Sequence, residues 1–329
     1  MANYRKISGA YVKSYSADPD RTYPSNMEGK IYYNSSDGQF KYVGLGAGAW
    51  ASGGSLNTAA KDRGGVGLQT AALCFGGQIS PPNTVNTEQY DGSSWTETSN
   101  MNTARYAMGD CGVYASAIAA GGWVSPSHTD AVESWDGSSW TEVSEINTSR
   151  NVIGGAGASN TSALIFGGAP SNSAVESWDG SSWTETTELN NGRAYLTGDG
   201  IQTAAIAIGG KPEPGSMSPT AITETWNGST WTEENDLNLA RTNLASSKAG
   251  TTTNSLAFGG SISGFKTETE AWDGSSWTEV ADLATARQSL SGAGTGSLGL
   301  AFAGTVGTPG MTNTEEWTLA HAFKKVTTE

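Results

Sequence analysis

The chain repeats one short sequence five times, and the spacing of the copies limits the folds open to it. The pattern Trp-Asp-Gly-Ser-Ser-Trp-Thr-Glu occurs, with small changes, at residues 90–97, 135–142, 178–185, 226–233 and 272–279. The second Trp of each copy lies 43 to 48 residues before that of the next. A period of this size, built from short strands and Gly-rich turns, is typical of a β-propeller and not of a helical solenoid. A propeller is a scaffold, so the repeat predicts architecture better than function.

One full unit, residues 101–144, predicts four short strands. A small alternating segment (106–113) and an apolar run (115–120) end at Gly121-Gly122, and two aromatic-rich strands (131–135 and 140–143) follow. The Asp136-Gly137 pair between those strands indicates a hairpin, because Gly supplies the positive φ that the turn requires. Four strands in one unit are the content of one propeller blade.

Six such units can be counted, and two charged residues recur in them. An Arg stands ten residues after the second Trp in five copies: Arg105, Arg150, Arg193, Arg241 and Arg287. A Glu stands two residues before the first aromatic in six: Glu88, Glu133, Glu176, Glu224, Glu270 and Glu315. A charge present in every unit is better explained by scaffolding than by chemistry performed once. We therefore predict structural roles for both sets and for the Trp pairs. The alternative for the Trp residues is a ring of sugar-stacking sites.

The two ends of the repeat complete each other. The last unit has a third strand at residues 314–317 but lacks the Asp-Gly hairpin that should follow. Trp50 stands six residues before Leu56, as Trp95 stands before Met101. Residues 50–54 are therefore predicted to pair with residues 314–317 and close the ring, which removes two open sheet edges.

The recurring elements resemble Kelch repeats over about 270 residues. Residues 71–105 carry all of them: an apolar strand, Gly-Gly, Glu-x-Tyr-Asp, Trp and a trailing Arg. The last unit departs from this pattern because Ala303-Gly304 replaces Gly-Gly. The first unit has Ala60 at the position of the recurring Arg and a basic residue at Arg63. The resemblance implies four-stranded blades whose innermost strand has small residues. The predicted fold is all-β: a six-bladed Kelch-like β-propeller over residues 46–320, an N-terminal arm and hairpin over 1–45, and a tail over 321–329.

The N-terminal segment differs from the repeat. Residues 28–43 predict a β-hairpin with Asp37-Gly38 at its turn. This segment resembles one found in bacteriophage tail-fibre and other virion proteins. Residues 3–23 are aromatic and polar, as suits an extended arm that docks on another subunit. The expected role of the first 45 residues is anchoring to a virion.

Composition excludes some partners. Lys and Arg number 18 against 32 acids, a formal net charge of −14. Such a surface repels nucleic acid and anionic membranes. No run of 18 apolar residues predicts a membrane span, and residues 1–10 lack the apolar stretch of a secretory signal. Cys74 and Cys111 are expected to be buried and unbridged rather than to form a disulfide.

The pattern does not favour an enzyme, a metal or a cofactor. Galactose oxidase, a Kelch-type enzyme, holds copper with His and Tyr; here nothing brings His128 and His321 together. The Asp-box of sialidases needs one more residue between Asp and Gly than Asp136-Gly137 has. No Ser-His-Asp set, phosphate loop or metal-ligand spacing appears. A glycosidase pair of carboxylates stays open as an alternative, because acids are plentiful.

Binding is expected on one face. Strand alternation places the loops between second and third strands on the same side as those between units. These loops vary most, and variable loops on a rigid scaffold commonly carry binding. The candidate contacts are Trp123, His128, Lys211, Phe265 and Lys266. Trp123 and Phe265 are preferred as exposed apolar surfaces; the alternative is that each folds back on its own loop.

Together these features favour a non-enzymatic bacteriophage virion protein, a fibre or surface decoration component assembled in the host cytoplasm. Its arm would contact other virion proteins, and its propeller would bind a host-surface glycan or protein. Homo-oligomerisation stays open. A Kelch-type protein-interaction adaptor is the second hypothesis, and a carbohydrate-active enzyme is the third.

Overall fold

The computed structural model describes residues 3–7, 10–16, 30–79, 82–212, 218–319 and 321–326. The chain divides into two compact units, Met1–Ala49 with Thr318–Glu329 and Trp50–Trp317. The regular structure of the described residues is entirely β, so the all-β prediction is confirmed. None of the described segments forms a helix long and apolar enough to cross a lipid bilayer.

The smaller unit contains one five-stranded sheet with the order β1-β2-β3-β4-β31. Its strands are β1 (Asn3–Ile7), β2 (Ala10–Tyr15), β3 (Ile31–Asn34), β4 (Gln39–Leu45) and β31 (His321–Lys325). The predicted hairpin is confirmed: β3 and β4 pair antiparallel, with Ile31 opposite Tyr42 and Gly38 at φ 72° in the turn. Residues 3–7 and 10–15 of the predicted arm also pair with each other, and residues 17–23 lie outside the described residues.

Over its described residues, the larger unit contains six four-stranded antiparallel sheets, a content consistent with a β-propeller-like fold. Sheet 1 comprises β6 (Gly64–Leu68), β7 (Ala71–Phe75), β8 (Thr87–Tyr90) and β9 (Trp95–Thr98). Sheet 2 comprises β10 (Gly109–Val113), β11 (Ser116–Ala120), β14 (Val132–Trp135) and β15 (Trp140–Val143). Sheet 3 comprises β16 (Gly154–Ser159), β17 (Ser162–Phe166), β18 (Val175–Trp178) and β19 (Trp183–Glu185). Sheet 4 comprises β20 (Thr197–Ile201), β21 (Ala204–Ile208), β22 (Thr223–Trp226) and β23 (Trp231–Glu233). Sheet 5 comprises β24 (Ala245–Ser246), β25 (Ser255–Phe258), β26 (Thr269–Trp272) and β27 (Trp277–Glu279). A small hairpin, β12 (Trp123–Val124) and β13 (Ser127–His128), lies in the loop between β11 and β14.

Sheet 6 combines strands from both ends of the repeat. Its order is β28 (Ser291–Gly294), β29 (Leu298–Phe302), β30 (Thr314–Thr318) and β5 (Ala49–Ser52). The backbone N–H of Gly53 donates to the carbonyl of Thr314 at 2.9 Å. The rings of Trp50 and Trp317 lie 5.5 Å apart. The predicted pairing of the Trp50 segment with the third strand of the last unit is therefore confirmed.

The first strand of each sheet is built from small residues because it is crowded. The first strands contact one another in series, β6 with β10, β10 with β16, β16 with β20, β20 with β24, β24 with β28, and β28 with β6. A Cβ at Gly64 would lie 2.2 Å from the ring of Phe75, and one at Gly292 would lie 2.0 Å from the carbonyl oxygen of Ser246. A larger residue at Gly64 would displace Phe75 within sheet 1, and one at Gly292 would force sheets 5 and 6 apart.

The Asp-Gly-Ser-Ser turns are fixed by the Asp side chain. Asp91 Oδ1 accepts from the backbone N–H groups of Ser93 and Ser94, each at 2.8 Å, and Gly92 has φ 93°. Hydrogen bonds from the Ser94 backbone and from Ser93 lower the pKa of Asp91 to about 2. Equivalent bonds to Ser hydroxyl and backbone groups lower the pKa to about 2 at Asp136, Asp179 and Asp273. Asn227 makes the same turn in sheet 4 without a charge.

These turns predict a distinct acid titration. Because the folded pKa lies below the ordinary value near 3.9, the turns stabilise the fold above that pH, and the contribution is lost as the pH falls towards about 2. Carbon-13 carboxyl NMR should show midpoints near 2 for the four aspartates, and Asn227→Asp should add a fifth. Midpoints near 4 would contradict this account of the turns.

Candidate functional site

The repeated Arg and Glu residues form buried ion pairs. Arg105 Nη2 lies 3.2 Å from Glu133 Oε1, and both side chains are almost fully buried. The same carboxylate accepts from the backbone N–H groups of Asn102 and Thr103. The equivalent pairs are Arg63–Glu88, Arg150–Glu176, Arg193–Glu224, Arg241–Glu270 and Arg287–Glu315. Burial lowers the pKa of Arg105, which the charge of Glu133 opposes, and the guanidinium remains charged. These groups are committed to internal contacts.

The Arg backbone also connects neighbouring sheets. The carbonyl of Arg105 accepts from the N–H of Gly77 in sheet 1 at 2.9 Å, while its side chain bonds within sheet 2. Bonds of the same kind join Gly122 to Arg150, Gly168 to Arg193, Gly210 to Arg241, Gly260 to Arg287 and Gly304 to Ala60. Each of these residues therefore bonds to the preceding sheet through its backbone carbonyl, and each Arg also bonds to its own sheet through its side chain.

The second Trp of each repeat contacts the preceding sheet. Trp140 Nε1 donates to Thr87 Oγ1 at 3.0 Å, and its ring lies 4.8 Å from that of Phe75. The corresponding donors elsewhere are Trp50, Trp95, Trp183, Trp231 and Trp277. Trp140 is only 6% exposed. Burial of this kind leaves no ring face open for stacking on a sugar, which argues against the sugar-stacking alternative.

The five loop residues predicted as contacts lie in loops of sheets 2, 4 and 5. Trp123 and His128 face each other across the β12–β13 hairpin, with ring centroids 4.9 Å apart at 88°, and both are partly buried. Trp123 is thus packed on its own loop rather than freely exposed. Lys211 Nζ lies 4.6 Å above the ring of Tyr195 in sheet 4.

The remaining two lie in the loop of sheet 5. Phe265 is 38% exposed, as expected for a contact residue. Lys266 Nζ lies 3.3 Å from Glu268 Oε1. The side chain of His321 lies outside the described part of the chain. Among the described residues, no three His, Cys, Asp or Glu side chains come together as a metal site.

A second set of residues does converge. The residue two positions before the first strand has a left-handed backbone in each of the six sheets, with φ between 52° and 59°. These residues, called the ring residues, are Asp62, Ala107, Val152, Tyr195, Asn243 and Ser289. Each donates its N–H to the carbonyl of the ring residue of the preceding sheet, at 2.6 to 3.1 Å. The N–H of Asp62 donates to Ser289 at 2.9 Å, so the six hydrogen bonds form an unbroken cycle.

The ring residues line a cavity, called the central cavity, of about 80 Å³ that is open to solvent. An ion pair crosses its deeper part: Lys248 Nζ lies 2.7 Å from Asp110 Oδ1, which joins sheet 5 to sheet 2. Lys248 has φ 64° at a position where the other sheets have Gly67, Gly112, Gly157, Gly200 and Gly294. Asp110 Oδ2 also accepts from the N–H of Gly65 at 2.7 Å.

Several ionisable groups in and near the ring are perturbed. Burial raises the pKa of Asp62, which a hydrogen bond from Ser289 and the charge of Lys61 oppose. Burial, and then the charges of Asp62 and Tyr195, raise the pKa of Tyr106. Burial also raises the pKa of Asp199, although hydroxyls of Ser247 and Ser255 donate to it. Burial thus disfavours the charged form of each of these three groups.

The two cysteines are free and buried, as predicted. Burial raises the pKa of the Cys74 thiol and of the Cys111 thiol to about 12. Neither is a reactive nucleophile at neutral pH.

The sequence did contain a signal for the ring residues. Five of them stand two positions after the recurring Arg, and the sixth, Asp62, stands two positions after Ala60. Their spacing is fixed while their identity changes from unit to unit. Asp110 and Lys248 are likewise charged residues where most units have small ones. No protein-family model matches the chain, and no curated protein matches it.

Proposed function

We propose that the six sheets are the blades of one closed, Kelch-like β-propeller, in which β5 completes the last blade. Three features support this proposal. The ring residues donate in a six-membered cycle, the Gly–Arg backbone bonds return from Gly304 to Ala60, and Trp50 donates to Thr269 as the other Trp residues donate to their preceding sheets. In a closed propeller only short sheet edges remain.

On this scaffold the protein acts as a non-enzymatic structural component of a bacteriophage virion, a fibre or surface decoration protein. Its first 45 residues attach it to other virion proteins, and the loop face of the propeller binds the host surface. The virion assignment derives from the resemblance of residues 28–43 to virion proteins. The observation that carries the binding role is that constant and variable residues of each repeat occupy different places. The constant Arg, Glu and Trp residues are buried in structural contacts. The variable side chains lie at the ring positions and in the loops.

The carboxylates of the central cavity favour binding over glycoside hydrolysis. Hydrolysis needs two carboxyl groups with separate roles across one bond. Among the described lining residues the cavity has Asp62 and Asp110, and Asp110 is already paired with Lys248. One available carboxylate suits a hydrogen-bond acceptor for a ligand.

Particle composition tests the proposal. Particles from producing cells are banded on a density gradient, and the chain is quantified by mass spectrometry and located with gold-labelled antibody in the electron microscope. We expect the chain to band with the particles at constant copy number and to lie on their surface. Recovery of the chain only in the soluble fraction, bound to a cellular protein, would favour an adaptor instead.

Adsorption tests the second half of the proposal. Purified full-length protein should bind host cells and compete with particles for attachment. Normal attachment in the presence of saturating protein would contradict a host-binding role even for a chain that is a virion component.

A further inference from the structure

The ring residues retain side chains where the backbone favours glycine. A left-handed backbone is strained for residues with a Cβ, most of all for a β-branched one such as Val152. Elsewhere in the described repeats the recurrent left-handed positions are glycine, apart from Lys248 and Ala303. A chain with 44 glycines nevertheless has none at the six ring positions. Strain kept at one set of positions points to a use for the side chains themselves.

The ring side chains divide the central cavity into two halves. In the order of the hydrogen-bond cycle, Asn243, Ser289 and Asp62 are consecutive and polar. The next three, Ala107, Val152 and Tyr195, are apolar or aromatic. All six line the same cavity, as do the apolar residues that follow five of them: Met108, Ile153, Leu196, Leu244 and Leu290. Among the ring residues themselves, one side thus offers a carboxylate, a hydroxyl and an amide, and the other side offers hydrocarbon and a ring.

This two-sided lining matches one ligand class. A pyranose has hydroxyl groups at its edge and an apolar C–H face, and a site that binds it needs a few placed polar groups against a hydrophobic or aromatic wall. We propose that the central cavity binds one neutral pyranose unit of a glycan, with its hydroxyls on Asp62, Ser289 and Asn243 and its C–H face towards Val152 and Tyr195. The inference deepens the proposed function, on which it rests for the biological source of the glycan.

Charge selects a neutral ligand over an ionic one. The formal net charge of −14 disfavours an anionic sugar. Inside the cavity Asp110 is neutralised by Lys248. The positive charge of Lys61 acts on Asp62 and weakens the attraction of the Asp62 carboxylate for a cationic ligand. Asp62 therefore serves best as a hydrogen-bond acceptor for hydroxyl donors.

Saturation-transfer NMR and calorimetry test the inference with methyl glycosides of neutral hexoses and N-acetylhexosamines, and with N-acetylneuraminic acid as the anionic comparison. We expect a neutral glycoside to bind and the anionic sugar to fail. Asp62→Asn should weaken binding at least about tenfold, since the substitution replaces the carboxylate acceptor with a weaker, neutral amide oxygen. Glu145→Gln, a matched change at an exposed acid outside the cavity, should leave binding unchanged.

A second variant guards against misfolding. Tyr195→Ala removes the aromatic ring from the opposite wall, and its binding should also fall at least about tenfold, with unfolding temperatures recorded for each variant. Binding that survives both substitutions in folded protein, or no binding of any neutral glycoside, would overturn the inference. A glycoside that binds here but does not block adsorption to host cells would leave the site intact and count against the proposed host-attachment role.

Discussion

Replacing Glu133 with Ala should lower the free energy of unfolding by about 3–5 kcal/mol, because the substitution leaves a buried charge without its partner. Glu133 is 1% exposed and Arg105 is 0% exposed. The same change removes the acceptor of the Asn102 and Thr103 N–H groups, which hold the segment between sheets 1 and 2. Urea denaturation followed by Trp fluorescence and circular dichroism measures the effect.

Two further variants identify the cause. Glu142 lies opposite Glu133 on β15 and is exposed, so Glu142→Ala should change stability by less than about 0.5 kcal/mol. Arg105→Met combined with Glu133→Leu should recover much of the loss, because apolar replacement removes both buried charges. A cost below about 1 kcal/mol for Glu133→Ala would contradict the structural role given to the whole Arg–Glu set.

Replacing Trp50 with Ala should destabilise the larger unit by about 3 kcal/mol, the cost expected for truncating a packed Trp. The Trp50 ring lies 5.1 Å from that of Phe258 and 5.5 Å from that of Trp317. Its Nε1 donates to Thr269 Oγ1 at 3.0 Å. The side chain therefore joins β5 to sheet 5 and to the rest of sheet 6, and its loss should weaken both contacts.

Trp123→Ala provides the matched control. Trp123 is also partly buried, but its ring contact is with His128 of its own small hairpin. We expect this change to cost at most about 1 kcal/mol. Equal effects of the two substitutions, measured by calorimetry, would mean that β5 does not share in the stability of the last sheet.

The scaffold was predictable because it is repeated. The spacing of the repeats indicated four strands per unit, the Asp-Gly turns and the pairing of the Trp50 segment with the last sheet. Each of these interpretations could be checked against the other copies of the repeat. A structural role for Arg105 and Glu133 could be predicted in the same way. Their direct pairing within one sheet could not be predicted. Two residues 28 apart in sequence meet there only because the four strands fold back on one another.

The ring was not predictable by that logic, because its members differ from unit to unit. Asp62 and Ser289 lie at opposite ends of the repeat and meet only if the sheets follow one another in a cycle. Lys248 and Asp110 pair across 138 residues for the same reason. Trp123 was preferred as an exposed contact because it lies in a variable loop, with folding back on that loop as the alternative. The Ser127–His128 strand places the His128 ring against it. Departures from a repeat identify positions worth examining, but only the arrangement of the sheets shows which of them meet.

Amide hydrogen exchange at the six ring residues tests the closed propeller most directly. The N–H groups of Asp62, Ala107, Val152, Tyr195, Asn243 and Ser289 belong to one cycle. We predict that all six exchange slowly and at similar rates, as amides do that open only with global unfolding. Fast exchange at Asp62, where the first sheet meets the last, with slow exchange at the other five would show an open ring and contradict the account.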